Sequence, residues 1–283
     1  MVTDIDTLKN EFDCRGFVIL REVFPPGVVE NAKPAINGLV DQTAERLVAD
    51  GKLAHRFEGE PFESRLIRIF ERFPDEAPKI FRRELHLDSL FQFFFNARVL
   101  DVVEVFLGDE IRLYPNYTVR PKVPEDARGQ VLWHQDGGYT VHGQEDSKVN
   151  ELTMVNVWTP LVPVNTENGC MQFIAGSHKG GVVPHVKKEH YLEIRRDVLD
   201  PYLEQGDLVD IVMEPGDAVL FHNLLFHQGL PNVSKTIRWS LDFRYQDAEQ
   251  PTLRDQNGHL ARSKAHPEKV VRSPEQWAHL SFV

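Results

Sequence analysis

The chain has 283 residues, 41% hydrophobic and 27% charged, enough apolar material to bury a sizeable core without disulfides. Its net charge of −11, from 32 basic and 43 acidic residues, disfavours non-specific binding to nucleic acid or to an anionic membrane surface. Two distant cysteines, Cys14 and Cys170, do not imply a disulfide framework, and no run approaches the roughly eighteen apolar residues of a membrane span.

The N-terminal MVTDIDTLKNEFDCRG lacks an apolar stretch of signal-peptide length, which makes the cytoplasm the expected compartment. Gly16 opens GFVILREVF, a short apolar run expected to form a buried strand ending at Pro25-Pro26. Val28, Val29, Ala32, Ile36, Leu39, Val40, Thr43 and Leu47 then recur at three- and four-residue spacing, the pattern of an amphipathic helix ending near Gly51. Further helices are expected over 63–73 and 76–85. There Arg65, Arg68, Arg72, Arg82 and Arg83 alternate with Glu63, Glu71, Asp75, Glu76 and Glu84, as on a solvated, salt-bridged helical face. DSLFQFFFNARVLDVVEVFLG predicts one helix from an Asp88 N-cap to Gly108.

From Ile111 the texture changes to short β-rich runs: IRLYPNYTVRPKV, VLWHQD, ELTMVNVWTPLVPV, GCMQFIAGSH, LVDIVMEPGDAVLFH and TIRWSLDFRYQ. Gly, Pro, Asn and Asp turns separate them at sandwich or barrel spacing, with EPGD at 214–217 as a tight turn. The tail beyond Gln250 is polar, with Trp277 as its candidate anchor. The expected architecture is one domain: a mainly helical part over 1–110, an antiparallel β-sandwich over 111–250 that the helices cover on one side, and a tail over 251–283.

Two His-x-Asp pairs occur in this chain of 12 histidines, a number that chance alone can supply. His86 and Asp88 fall at a helix boundary, where Asp88 is better used as a cap. His134 and Asp136 end the apolar run VLWHQD, and residues two apart on a strand share one face and can grip one ion. Two His and one carboxylate on one face of an octahedral ferrous ion leave three positions for a co-substrate and dioxygen. The third ligand is expected to be His227, after DAVLFHNLLF, with His222 as the alternative; His178 reads as a loop residue. Arg238, eleven residues beyond His227, would be costly inside a sandwich unless it meets an anion, and a bidentate carboxylate is its natural partner.

Taken together, WHQD (133–136), NVWTPLVPVNTENG (156–169), FIAGSH (173–178), PGDAVLFH (215–222) and HQGLPNVSKTIRWSL (227–241) resemble the phytanoyl-CoA dioxygenase-like family of Fe(II)/2-oxoglutarate oxygenases. The resemblance implies a double-stranded β-helix (jelly-roll, cupin-like) core with flanking helices. It implies iron on His134, Asp136 and His227, and the far carboxylate of 2-oxoglutarate on Arg238, with Thr153 and Trp158 near the co-substrate. Two residues beyond the distal histidine many relatives carry a hydroxyl; here that position is Gly229. Halogenating relatives replace the carboxylate ligand with a small residue, so Asp136 implies hydroxylation or another oxidative outcome, with O2 consumed and succinate and CO2 released. Gln135, Tyr139, Thr140, the 141–150 loop and Trp239 are candidates to line the substrate mouth. No clear basic patch stands out in the sequence, which favours a small organic substrate over a large polyanionic thioester. A cupin-like metal protein that does not use 2-oxoglutarate, or a non-catalytic binding sandwich, are the competing readings. Arg238 would then point outward, or no ferrous site would form.

Overall fold

The computed structural model describes residues 5–126, 129–140, 147–188 and 191–282. Its strands, in chain order, are β1 (Phe17–Leu20), β2 (Ile111–Leu113), β3 (Thr118–Lys122), β4 (Val131–His134), β5 (Met154–Pro160), β6 (Met171–Ile174), β7 (His185–Lys187), β8 (Leu192–Ile194), β9 (Leu208–Ile211), β10 (Ala218–His222), β11 (His227–Gly229), β12 (Arg238–Asp247) and β13 (His259–Arg262). The larger sheet runs β1-β10-β5-β12-β2-β13, with β3 also paired to β12; the smaller runs β4-β11-β6-β9. Neighbours distant in sequence, such as β5 beside β10 and β4 beside β11, pair antiparallel across two sheets, as in a double-stranded β-helix.

β12 shows why this sequence builds a two-sided wall. Trp239, Leu241, Phe243 and Tyr245 alternate to one face and join the large apolar core shared with the N-terminal helices. Arg238, Asp242 and Arg244 alternate to the other face and line a cavity. The helix Pro26–Ala49 covers the apolar face with a stripe of Val29, Ala32, Ile36, Leu39, Val40, Ala44 and Leu47, the spacing legible in the sequence. At the EPGD turn, Gly216 takes φ 104° and the Asp217 amide donates to the Glu214 carbonyl at 3.0 Å.

Three expectations for the helical part need correction. Over 76–85 there is no helix beyond a 3-10 turn at Pro74–Glu76, because Phe81 exchanges two backbone hydrogen bonds with Val119 at the edge of β3. The run from Asp88 is divided: a 3-10 turn and the short helix Phe91–Phe94 stop at Asn96, whose side chain accepts from the Arg98 and Val99 amides and caps a new helix, Ala97–Leu107. Asp88 makes no cap hydrogen bond. The arginines of 65–83 are not one solvated face either. Arg68 does pair with Glu71, but Arg65 is buried, donating to Asn37 Oδ1 at 2.9 Å and to Asp41 Oδ1 at 2.5 Å, and Arg82 lines the cavity.

The C-terminal segment contributes more than a tail. β13 extends the large sheet by pairing with β2, and the short helix Pro274–His279 inserts Trp277 into the core. The indole is fully buried, donates to the Leu85 carbonyl at 3.2 Å and stacks on His86 at 3.9 Å. His86, the first residue of the unused His-x-Asp pair, is therefore a packing residue. No helix among the described residues is long and apolar enough to cross a membrane. Trp277→Ala is expected to lower the unfolding free energy by about 3–5 kcal/mol. Urea denaturation checks this, and a loss below about 1 kcal/mol would show that the segment is not docked.

Candidate active site

The two central histidines meet because of strand pairing. β11 lies antiparallel to β4 with His227 directly opposite His134, so both imidazoles leave the sheet on the same face, their ring centroids 4.1 Å apart. The pairing then slips by one residue before Gly229. Asp136 arrives by a different route from the one expected. β4 ends at His134, and Asp136 is the first residue of a short helix, Asp136–Thr140, whose Gly137 amide is held by the Asn223 carbonyl at 3.0 Å. A Cβ on Gly138 would come within 2.7 Å of the His185 ring, so this turn depends on glycine for close passage. The outcome is one ligand atom each from His134, Asp136 and His227 within 4.8 Å of one another, all three residues buried.

Hydrogen bonding fixes which nitrogen each ring presents. His134 Nδ1 donates to the Leu132 carbonyl at 2.7 Å, and His227 Nδ1 donates to the Leu225 carbonyl at 2.9 Å. Each Nε2 is left as a lone-pair donor facing Asp136, at 3.6 Å from Oδ1 for His134 and 4.0 Å from Oδ2 for His227. Burial, reinforced by the neighbouring His134 ring, pushes His227 down to about 3, so it stays neutral at physiological pH. Burial alone would raise the Asp136 carboxyl, but the Arg244 guanidinium, with the two neighbouring imidazoles, holds it well below the usual carboxylate range. A carboxylate and two neutral imidazoles are the donor set a ferrous ion takes.

Arg244 was not singled out from the sequence. Its Nη2 lies 2.6 Å from Asp136 Oδ1, with both side chains buried. It stands six residues beyond Arg238 on one long strand, and an even separation puts both guanidiniums on the same face. That parity was available in the sequence and identifies it.

These side chains share a cavity of about 670 Å³, with Val131, Trp158, Met171 and Phe221 as apolar lining. Arg238 points inward. It is 4% exposed, its Nη1 donates to Ser240 Oγ at 2.6 Å, its guanidinium carbon sits 5.2 Å from the centre of the Trp158 ring, and its Nε has no partner. Trp158 and Tyr139 line the cavity, and Tyr139 accepts a hydrogen bond from the Leu192 amide at 3.0 Å.

Other expected site residues lie elsewhere. Thr153 is exposed at the end of β5, its amide donating to Gln250 Oε1 at 2.7 Å, away from the cavity lining. Gln135 is fully buried, donating to the Gly181 and Leu224 carbonyls and accepting from the Val183 amide, so it joins loops and does not line the mouth. Trp239 is on the opposite face of β12, stacked on Phe62 with its Nε1 donating to the Phe62 carbonyl. Thr140 is buried outside the cavity lining; of the 141–150 loop, residues 141–146 lie outside the described residues and Ser147–Glu151 forms a 3-10 turn off the cavity. His222 and His178 stand 5.0 Å apart, and neither lines the cavity. The expectation of no basic patch is corrected as well, since Lys79, Arg82, Arg120, Arg238, Arg244 and Arg254 all line this one cavity. They are scattered over some 175 residues of sequence, and only the fold gathers them.

A model of one protein family, described as phytanoyl-CoA dioxygenase (PhyH), matches residues 12–240. A 1-deoxypentalenic acid 11-beta-hydroxylase from Streptomyces arenae is 29% identical over 259 residues, covering 88% of this chain and 83% of that protein. A probable alpha-ketoglutarate-dependent hypophosphite dioxygenase from Stutzerimonas stutzeri is 29% identical over 191 residues, covering 64% of this chain and 62% of that protein. Among solved structures, EctD from S. alaskensis with 2-oxoglutarate and 5-hydroxyectoine superposes with a TM-score of 0.65 at 18% identity, over 96% of this chain and 88% of that one, a likeness of fold.

Arg244→Met is expected to weaken Fe(II) binding about 10–100-fold, because it leaves Asp136 without the partner that orients it. Calorimetric titration of metal-free protein under argon measures this. Unchanged affinity with an unchanged fold would mean that the guanidinium serves packing alone.

Proposed function

Because the chain belongs to the phytanoyl-CoA dioxygenase family, we propose that His134, Asp136 and His227 hold the ferrous ion of this 2-oxoglutarate-dependent oxygenase and that Arg238 receives the distal carboxylate of the co-substrate. The enzyme is a 2-oxoglutarate-dependent non-haem iron dioxygenase, which sets aside the non-oxygenase readings of the sequence. The observation that carries the residue assignment is the meeting, in one cavity, of three buried ligand atoms within 4.8 Å and an inward Arg238 whose Nε lacks a partner. A buried guanidinium without an anion costs several kcal/mol, and a carboxylate offset by it fits the site.

When bound, iron and 2-oxoglutarate supply the oxidising chemistry, with O2 consumed and succinate and CO2 released. The chain contributes geometry and charge. His134 and His227 present Nε2 lone pairs because their Nδ1 protons are fixed on backbone carbonyls. Arg244 keeps Asp136 ionised and orients it. Trp158, Phe221 and Met171 exclude water beside these groups, which strengthens every charge interaction within. Asp136 fills the position that halogenating relatives leave small, and this supports hydroxylation.

The substrate is a small molecule, and its class follows from charge. Six cationic side chains line the cavity, whereas Asp136 and Asp242 are its only carboxylates among the described residues. Asp136 pairs with Arg244 and Asp242 with Arg120, at 2.6 and 3.3 Å. With Arg238 assigned to the co-substrate, Lys79, Arg82 and Arg254 remain without a carboxylate among the described residues. Arg82 Nε is buried and unpartnered, and its guanidinium is pushed down by burial and by the neighbouring Arg120, Arg244 and Arg254. An apolar body bearing an acid group fits this lining, and the Streptomyces relative is itself named for an acid.

Anaerobic titration of metal-free protein with Fe(II) and 2-oxoglutarate is expected to develop the visible metal-to-ligand charge-transfer band. His227→Ala abolishes the band, and Arg238→Ala demands far more 2-oxoglutarate. In air, paired carboxylic acids and their methyl esters then separate the substrate classes: acids accelerate succinate release and esters do not. Absence of a band in folded protein contradicts the metal assignment, and equal acceleration by esters contradicts the acid reading.

A further inference from the structure

The cavity holds more positive charge than the co-substrate can use. Six cationic side chains line it against two carboxylates, although the whole chain carries a net charge of −11. Arg120 and Arg244 are offset by Asp242 and Asp136, and Arg238 is assigned to the co-substrate. A ferrous ion and a doubly ionised oxoacid cancel each other, so binding both leaves the excess unchanged. Lys79, Arg82 and Arg254 carry it.

The fold sets the two arginines in place from segments far apart in sequence. Phe81 pairs with Val119 at the edge of β3 and both side chains enter the apolar core, so their neighbours Arg82 and Arg120 turn to the cavity. The Arg82 guanidinium has no hydrogen-bond or ion-pair partner among the described residues, and its Nε is buried. Glu84, two residues on, accepts instead from the Arg82 backbone amide at 3.1 Å. Arg254 reaches the same wall from the loop between β12 and β13. Its Nε donates to the Tyr114 hydroxyl at 2.9 Å, and that fully buried phenol donates to the Thr252 carbonyl at 2.8 Å. The guanidinium is thus held by its inner nitrogen, and Nη1 and Nη2 have no partner among the described residues. Asn116 lines the same stretch and adds a neutral amide.

Charge decides what fits between them. Burial and the neighbouring Arg120, Arg244 and Arg254 all push the Arg82 guanidinium below its ordinary value, so the two free arginines stand close enough to repel. Like charges in a half-buried wall cost stability unless an anion lies between them. A single carboxylate matches one guanidinium fork and leaves the other arginine and Lys79 uncompensated. A head with two negative charges and acceptor oxygens on several sides meets both forks at once.

We infer that the substrate carries a doubly charged acid head, either a phosphonate or phosphate group or a pair of neighbouring carboxylates, clamped between Arg82 and Arg254 with Lys79 as the third cation. This deepens the acid reading of the substrate and rests on it.

The test is calorimetric titration of the anaerobic Fe(II) protein, saturated with 2-oxoglutarate, with four probes that share one alkyl tail: octylphosphonate, octylsuccinate, nonanoate and methyl nonanoate. The pH is set where the phosphonate is doubly ionised. A dianionic probe is expected to bind about tenfold or more tighter than nonanoate, and nonanoate tighter than its ester. Octylphosphonate ahead of octylsuccinate identifies a phosphonate or phosphate head, and the reverse order a dicarboxylate. Arg82→Met and Arg254→Met each remove most of the dianion's advantage and leave the affinity for the ester unchanged. Lysine at either position recovers part of the loss, and glutamine serves the same comparison should a methionine variant fail to fold. Dianions that bind no tighter than nonanoate, with nonanoate still ahead of its ester, would overturn the inference and leave the acid reading standing. Acid and ester binding alike overturns both. Equal weakening of all four probes in the arginine variants also overturns the clamp, because it assigns Arg82 and Arg254 to holding their loops in place.

Discussion

The pairing of β11 against β4, with His227 set opposite His134, is the contact on which the site depends. Neither strand has more than four residues, and neither would hold a register alone. Register comes from their neighbours. β11 is also paired along its length to β6, and β6 to β9, so the smaller sheet locks the two histidines in place. A slip of β11 by one residue would turn the His227 imidazole to the other face, away from His134. Asp136 and Arg244 then complete the arrangement from outside this sheet: one from the helix that begins where β4 stops, the other from the long strand β12 of the opposing sheet.

Charge is organised by the same alternation that builds the core. Along β12 every second side chain packs against the N-terminal helices, and the intervening positions carry Arg238, Asp242 and Arg244 into the cavity. One strand therefore supports the apolar core and supplies Asp136 with its counter-charge, Arg244. The Asp242 carboxyl, raised above its ordinary value by burial despite Arg120, shows how strongly this interior disfavours charge without compensation. The excess of cations over carboxylates in such a place is best understood as a complement to anionic ligands.

Much of the fold was legible because its signals are local. The stripe from Val29 to Leu47, the glycine turn at 214–217 and the β-rich runs after Ile111 each carry a periodicity or a breaker that acts within a few residues. The helix expected over 76–85 was lost to a non-local pairing, Phe81 with Val119, and the helix from Asp88 was divided because Asn96 caps better from within the run than Asp88 does from its start. At the site, the inward direction of Arg238 followed from the cost of burying a guanidinium. Trp239 was assigned to the mouth although its position, one residue along the same strand, puts it on the opposite face. Arg82 and Arg254 carry no local signal, because only the closure of the sheets brings residues so far apart in sequence to one cavity wall.

The most direct test of the account is diffraction from crystals grown anaerobically with Fe(II) and 2-oxoglutarate, with anomalous data collected on both sides of the iron absorption edge. The account predicts a single strong anomalous peak bonded to His134 Nε2, Asp136 and His227 Nε2, with the distal carboxylate of the co-substrate on Arg238. An iron peak at other residues, or a co-substrate whose distal carboxylate leaves Arg238 unpaired, would contradict it.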